Sequence, residues 1–188
     1  YLNLRNANSI TGSFTLEPRE GLISQTWKTL RYSFERNGWI NKIGLRNPGI
    51  DYALKKYGND CVNTNNLISI AILQSSDMNK FLQKIPENVN LEINVSCPNA
   101  EKSMIDENIH QFINKERKWC VIKVSPLVTK DKLDSYYQNG FRQFHVSNTL
   151  PTYTVSPLNN LSTPYSVVAL RPFFEIGNLI LFRCSLMV

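Results

Sequence analysis

The sequence predicts an α/β fold in which short parallel strands alternate with amphipathic helices, and three observations carry that expectation. Glycine, proline and asparagine divide the chain into short apolar runs and longer stretches of helical period, in alternation, as repeated βα units require. One run, residues 67–73 (LISIAIL), is apolar on both faces, as a buried parallel strand should be. With 188 residues and 42% hydrophobic side chains, the chain can bury one ordinary core.

The first strand is expected at Ser9–Phe14. Leu30, Tyr32 and Phe34 then alternate with polar residues, and Asn37-Gly38 supplies a hairpin turn before Trp39 and Ile40, so a small antiparallel excursion interrupts the pattern. Ile50, Ala53, Leu54 and Tyr57 recur at i, i+3, i+4 and i+7, with Gly58 as the stop, which marks a helix with one buried stripe. The run 67–73 is the second strand. Met78, Phe81, Leu82 and Ile85 repeat the helical pattern in a segment that opens at Ser75 or Ser76 and stops at Pro86. Residues 91–95 form the third strand. Ile105, Ile109, Phe112 and Ile113 mark the next helix, with Ser103 and Asp106 spaced as a capping box. Cys120–Val124 follows as a strand. Leu133, Tyr136 and Tyr137 mark a fourth helix ended by Gly140, and Gln143–Val146 is the fifth strand. After about Thr152 the period is lost, because residues 155–166 (VSPLNNLSTPYS) are turn-rich. The organisation expected is therefore a domain over residues 1–152 and a poorly specified tail over 153–188.

The formal charge of +6 and a pI near 9.2 suit an anionic ligand or nucleic acid equally well. Nucleic acid is not expected as a partner, since the Lys and Arg are scattered along helical stretches with no basic run interleaved with aromatics. Four cysteines (Cys61, Cys97, Cys120, Cys184) without a CxxC pair, and two histidines, argue against a metal site. With no leader in the sequence, the cysteines are expected as reduced thiols in the cytoplasm. The most apolar stretch, residues 173–188, is too short for a membrane span and carries Glu175 and Arg183.

The strings that carry chemistry fall at the C-terminal ends of the expected strands. Asn94-Val95-Ser96-Cys97-Pro98-Asn99 directly follows LEINV. There a thiol flanked by two carboxamides can act as a base while the amides hold a planar, hydrogen-bonding substrate. Another carboxamide, Asn148, lies in His145-Val146-Ser147-Asn148-Thr149. Lys123 lies in an apolar strand, a costly place for a lysine unless it is paired, reaches water or meets an anion. The amide-rich string Asn41-Lys42-Ile43-Gly44-Leu45-Arg46-Asn47-Pro48-Gly49 opens a helix at Pro48, where backbone N–H groups can meet a carboxylate or simply form a helix-start turn. His110 reads as a solvated helix residue and His145 as a satisfied core residue.

Together, Ser13-Phe14-Thr15-Leu16-Glu17-Pro18-Arg19-Glu20-Gly21, residues 40–49, Asn94 to Asn99, residues 122–126 and Ser147-Asn148-Thr149 resemble, in order, the motifs of the dihydroorotate dehydrogenases that use a cysteine base. The resemblance covers roughly residues 1–152 and implies a partial (β/α)8 TIM barrel. It implies FMN at the barrel mouth, contacted by Ser13, Asn94, Lys123 and Ser147. Orotate or dihydroorotate would be held by Asn41, Asn94, Asn99, Asn148 and Thr149, with the backbone at Gly44 and Leu45 meeting the carboxylate. Cys97 would be the catalytic base. The electron acceptor is left open among fumarate, a quinone and a partner protein, and a homodimer is compatible with the resemblance.

The chain also departs from the pattern. Thr11-Gly12-Ser13 stands where the cysteine type carries a lysine, and Asn159-Asn160-Leu161-Ser162 lacks the glycines of a phosphate-wrapping loop. The start Tyr1-Leu2-Asn3 falls inside the family's first helix. An incomplete copy is therefore expected, with low activity by itself. A missing N-terminal segment leaves membrane association open. The alternatives are a noncatalytic flavin- or pyrimidine-binding relic and a reductase like dihydropyrimidine dehydrogenase, although the latter usually carries His at the position of Asn99.

Overall fold

Five strands, β1 (Ser9–Phe14), β4 (Asn66–Ala71), β5 (Leu91–Asn94), β6 (Cys120–Val124) and β7 (Gln143–Val146), hydrogen-bond side by side in chain order, every pair parallel. The structure is a computed structural model and describes residues 9–20, 30–33, 38–41, 45–96, 102–147 and 185–187. The connections carry the helices α1 (Ile50–Tyr57), α2 (Ser75–Lys84), α3 (Lys102–Asn108) and α4 (Lys130–Gln138). A right-handed crossover between successive neighbouring strands puts each helix on the same face of the sheet. A doubly wound sheet would need the strand order to reverse. Sequential order with helices on one face is the arc of a partial (β/α)8 barrel, as expected. The predicted excursion is also present, as an antiparallel pair of β2 (Leu30–Ser33) and β3 (Gly38–Asn41). Within the expected tail, most of which lies outside the described residues, β8 (Ser185–Met187) adds an antiparallel strand beside β7.

Period-two alternation divides each strand between two environments. Ile68, Ile70, Leu91, Ile93, Ile122, Val124, Phe144 and Val146 join helix residues such as Ala53, Phe81, Ile105 and Leu133 in one core cluster. The alternate positions hold Ser69, Glu92, Asn94, Lys123 and His145. The run 67–73 therefore departs from the expectation of two apolar faces: it is buried throughout β4 after Asn66, but Ser69 makes the centre of its second face polar.

Helix boundaries follow local chemistry with two corrections. The first helix begins at Ile50, two residues after Pro48, because the Asn47 side chain accepts the Gly49 N–H at 2.8 Å and Gly49 turns the chain at φ +84°. A Cβ at Gly49 would stand 3.0 Å from the Pro18 nitrogen, so both the turn and the approach need glycine. Ser103 and Asp106 do not form a capping box, since α3 already includes Ser103. Asp106 instead accepts from the Tyr136 hydroxyl at 2.6 Å and pairs with Lys132 at 2.7 Å, tying α3 to α4. Tertiary partners outbid the local cap. A 3-10 turn, Ile109–Phe112, completes what the period suggested was one helix. Thr129 caps α4, and Gly140 ends the turn beyond it at φ +103°.

At the N-terminal end of the sheet, the buried Arg117 guanidinium donates to the carbonyls of Pro86, Val89 and Phe112, drawing together the approach to β5 and the end of the 3-10 turn.

Burial raises the Cys61 thiol to about 11 and pushes the Cys120 thiol up as well. Both are thus protonated in the fold at pH values where an unfolded thiol, with a pKa of about 8.5, ionises. Above that pH the unfolded state binds fewer protons, so stability falls as pH rises. We expect the melting temperature, measured under reductant, to drop from pH 9 towards 11, and Cys61→Ala to flatten the decline. An unchanged decline in that variant would remove Cys61 from the account.

Candidate functional site

The C-terminal ends of the parallel strands bring together residues far apart in sequence. In β1 the register shifts between Ile10 and Ser13, one extra residue against β4, so that Ser13 and not Gly12 stands opposite Ser69. The Thr11 hydroxyl takes up the Ser69 N–H at 3.0 Å. This bulge aims Ser13 into the polar face, where its Oγ lies 2.9 Å from Ser69 Oγ and accepts from Asn94 Nδ2 at 2.9 Å.

Asn94, the last residue of β5, is 5% exposed. Its Oδ1 accepts from the Ser96 backbone at 3.1 Å and the Ser96 hydroxyl at 2.6 Å. The amide thus fixes Ser96, the residue that precedes Cys97 in sequence.

Lys123 stands between Asn94 and His145 in the register of three adjacent strands. It is half-buried, and its ammonium has no hydrogen-bond or ion-pair partner among the described residues. Ser147 follows β7 and is held by its N–H to the Val124 carbonyl at 3.1 Å.

The structure adds two residues that sequence reasoning did not place in the site. Glu92 is 2% exposed; one carboxylate oxygen accepts from Ser69 Oγ at 2.7 Å and the other contacts His145 Nδ1. The available signal was a glutamate within an apolar strand at the same parity as Asn94, since a buried carboxylate needs partners. His145 finds a partner through Nδ1, so the expected satisfied residue is satisfied at that nitrogen, and His110 is exposed with Nδ1 at 3.0 Å from the Glu107 carbonyl.

The amide-rich string is partly structural. Asn47 bonds to the backbones of Thr15, Leu45 and Gly49, locking the loop after β1 against the start of α1. Leu45 is half-buried, with its carbonyl accepting from Asn47 at 2.7 Å. Asn41 ends β3, its backbone opposite Leu30. Gly44, Cys97, Asn99, Asn148 and Thr149 lie outside the described residues. At Gly12, where the resembling family carries a lysine, an added Cβ would meet nothing within 4 Å. The described residues hold no cluster of three or more His, Cys, Asp or Glu suited to a metal. No helix among them is long and apolar enough to cross a membrane.

The family model described as "Dihydroorotate dehydrogenase" matches residues 1–153. The catalytic subunit of dihydroorotate dehydrogenase B (NAD(+)) from Geobacter metallireducens is 30% identical over an alignment of 144 residues that covers 69% of this chain and 46% of the relative. The protein of the same name from Petrotoga mobilis is 26% identical over 162 residues, 77% of this chain and 52% of the relative. That from Desulforamulus reducens is 34% identical over 106 residues, 54% and 33% respectively. The chain thus spans about half, or less, of the length of these curated relatives. No solved structure matches it.

Proposed function

The chain belongs to the dihydroorotate dehydrogenase family, and we propose that it forms the FMN- and substrate-binding part of an oxidoreductase that converts dihydroorotate to orotate in pyrimidine biosynthesis. The observation that carries this reading is the convergence of Ser13, Asn94 and Lys123 on the polar face of the sheet, with Asn94 holding Ser96, the residue before Cys97 in sequence.

The residues present fit a flavin. A half-buried ammonium with no partner among the described residues suits the N1 and C2 carbonyl edge, where negative charge gathers on reduction. Asn94 is the register partner of Lys123 on β5 and carries the bond to Ser13, while Ser147 follows β7, the strand on its other side. FMN held by Ser13, Asn94, Lys123 and Ser147 would supply the acceptor for the hydride at C6 of dihydroorotate. Cys97 takes the C5 proton, so a hydride and a proton leave the substrate and the C5–C6 double bond of orotate forms. Asn41, Asn94, Asn99, Asn148 and Thr149 pair with the pyrimidine edges, and the backbone at Gly44 and Leu45 meets the carboxylate. The electron acceptor would be a partner protein. The relatives' names, which specify a catalytic subunit of an NAD(+) enzyme, favour this acceptor over fumarate or a quinone. The cytoplasm is the compartment proposed.

FMN fluorescence tests the cofactor assignment. We expect saturable quenching by the full-length protein, and about tenfold weaker binding in Lys123→Met, the loss of one charge-assisted contact. If no quenching occurs, the flavin reading fails. Equal affinity in the two forms would remove Lys123 from the flavin edge.

A further inference from the structure

Six side chains from four strands and one loop form a continuous hydrogen-bonded chain: Ser96, Asn94, Ser13, Ser69, Glu92 and His145. Its proton positions are not free. An ionised carboxylate only accepts, so Ser69 must donate its single hydroxyl proton to Glu92 Oε1 at 2.7 Å. The contact between Ser69 and Ser13 then needs Ser13 as donor, at 2.9 Å. Having donated there, Ser13 accepts from Asn94 Nδ2. That orientation leaves Asn94 Oδ1 for both Ser96 groups. One carboxylate thus fixes which way round an amide stands two residues away on its own strand.

The other carboxylate oxygen acts on His145 in the same way. Nδ1 facing an acceptor must carry a proton whatever the charge of the ring, which leaves Nε2 as the group available to a ligand. Nε2 has no partner among the described residues. The His145 side chain keeps 13% exposure while Glu92 beneath it keeps 2%, so the ring and not the carboxylate reaches the open side of the face. In register, His145 stands beside Lys123 as Asn94 does on its other flank. Glu92 forms no ion pair with Lys123 and contacts His145 instead, so no carboxylate among the described residues compensates the lysine that stands between the two oriented groups.

We propose that Glu92 is a positioning residue that sets the polarity of this chain, and that His145 Nε2 is a further contact for the planar heteroaromatic edge beside Lys123. Glu92 acts through Ser69 and Ser13 on Asn94, and directly on the imidazole. The His145 contact rests on the flavin reading above, with the flavin's pyrimidine edge as the group recognised; the role of Glu92 does not depend on it.

Nitrogen-15 spectra of the ligand-free full-length protein test the first part, with the His145 signal assigned by its loss in His145→Gln. The His145 ring is expected to carry its proton on Nδ1. Glu92→Gln, close to isosteric, offers an amide donor as well as an acceptor and should populate the tautomer protonated on Nε2. A wild-type ring protonated on Nε2 alone, or a tautomer unchanged in Glu92→Gln, overturns the positioning role. FMN titration tests the second part: affinity should fall about tenfold in both His145→Leu and His145→Gln, the latter keeping a donor for Glu92. Saturable binding by the wild type with equal affinity in His145→Gln overturns the contact. Absence of FMN binding by the wild type defeats the flavin reading and the contact with it, while the ligand-free spectra still decide the role of Glu92.

Discussion

Replacing Cys97 with alanine in the full-length protein is expected to slow flavin reduction by dihydroorotate about a hundredfold to ten-thousandfold, the usual contribution of a general base, while FMN and orotate still bind. The thiol follows Ser96, which Asn94 holds through two hydrogen bonds, and precedes Pro98, which disfavours helix. A thiol with a pKa of about 8.5 is only partly ionised at neutrality, so the wild-type reduction rate should climb with pH towards that value. Cys97→Ser should recover part of the alanine loss, and more of it at higher pH, since a hydroxyl is the poorer base. Were Cys97 only a packed side chain, both variants would lose stability with little change in the chemical step. Stopped-flow absorbance across pH separates the two patterns, and wild-type reduction rates in Cys97→Ala would remove the base.

The second large effect is on folding. Arg117→Met keeps much of the volume but leaves the carbonyls of Pro86, Val89 and Phe112 without their buried donor. A stranded buried acceptor costs about 1 to 3 kcal/mol, and allowing for partial rehydration we expect roughly 3 kcal/mol in urea unfolding. Arg117→Lys, whose ammonium cannot span three carbonyls in the guanidinium's planar geometry, should recover less than half. Because Arg117 lies at the end of the sheet opposite the site, FMN affinity should hold wherever the variant remains folded. A cost below about 1 kcal/mol would show that water or neighbouring groups replace the guanidinium.

Most of the fold was legible because it rests on local period. Each parallel strand was placed within one or two residues of its final bounds, and each helix showed an apolar stripe at helical spacing that enters the core. The misreadings arose where a distant partner decided the outcome. Asp106 has the spacing of a capping residue, but Tyr136 and Lys132, from the next helix, take its carboxylate. Pro48 is a plausible first helical residue, but the Asn47 side chain holds the preceding turn together and delays the helix to Ile50. Within the candidate site, Ser13, Asn94 and Lys123 were readable as polar residues at strand ends. Glu92 and His145 were not readable as a pair, since 53 residues separate them and only the lateral order of β5, β6 and β7 brings them together.

The most direct measurement of the central claim is the absorbance of FMN bound to the full-length protein on anaerobic addition of dihydroorotate. The account predicts loss of the oxidised flavin band near 450 nm, stoichiometric release of orotate, and no comparable bleaching by dihydrouracil, which lacks the carboxylate that the backbone at Gly44 and Leu45 is proposed to meet. Bound FMN that stays oxidised with dihydroorotate, or bleaches equally with dihydrouracil, would contradict it.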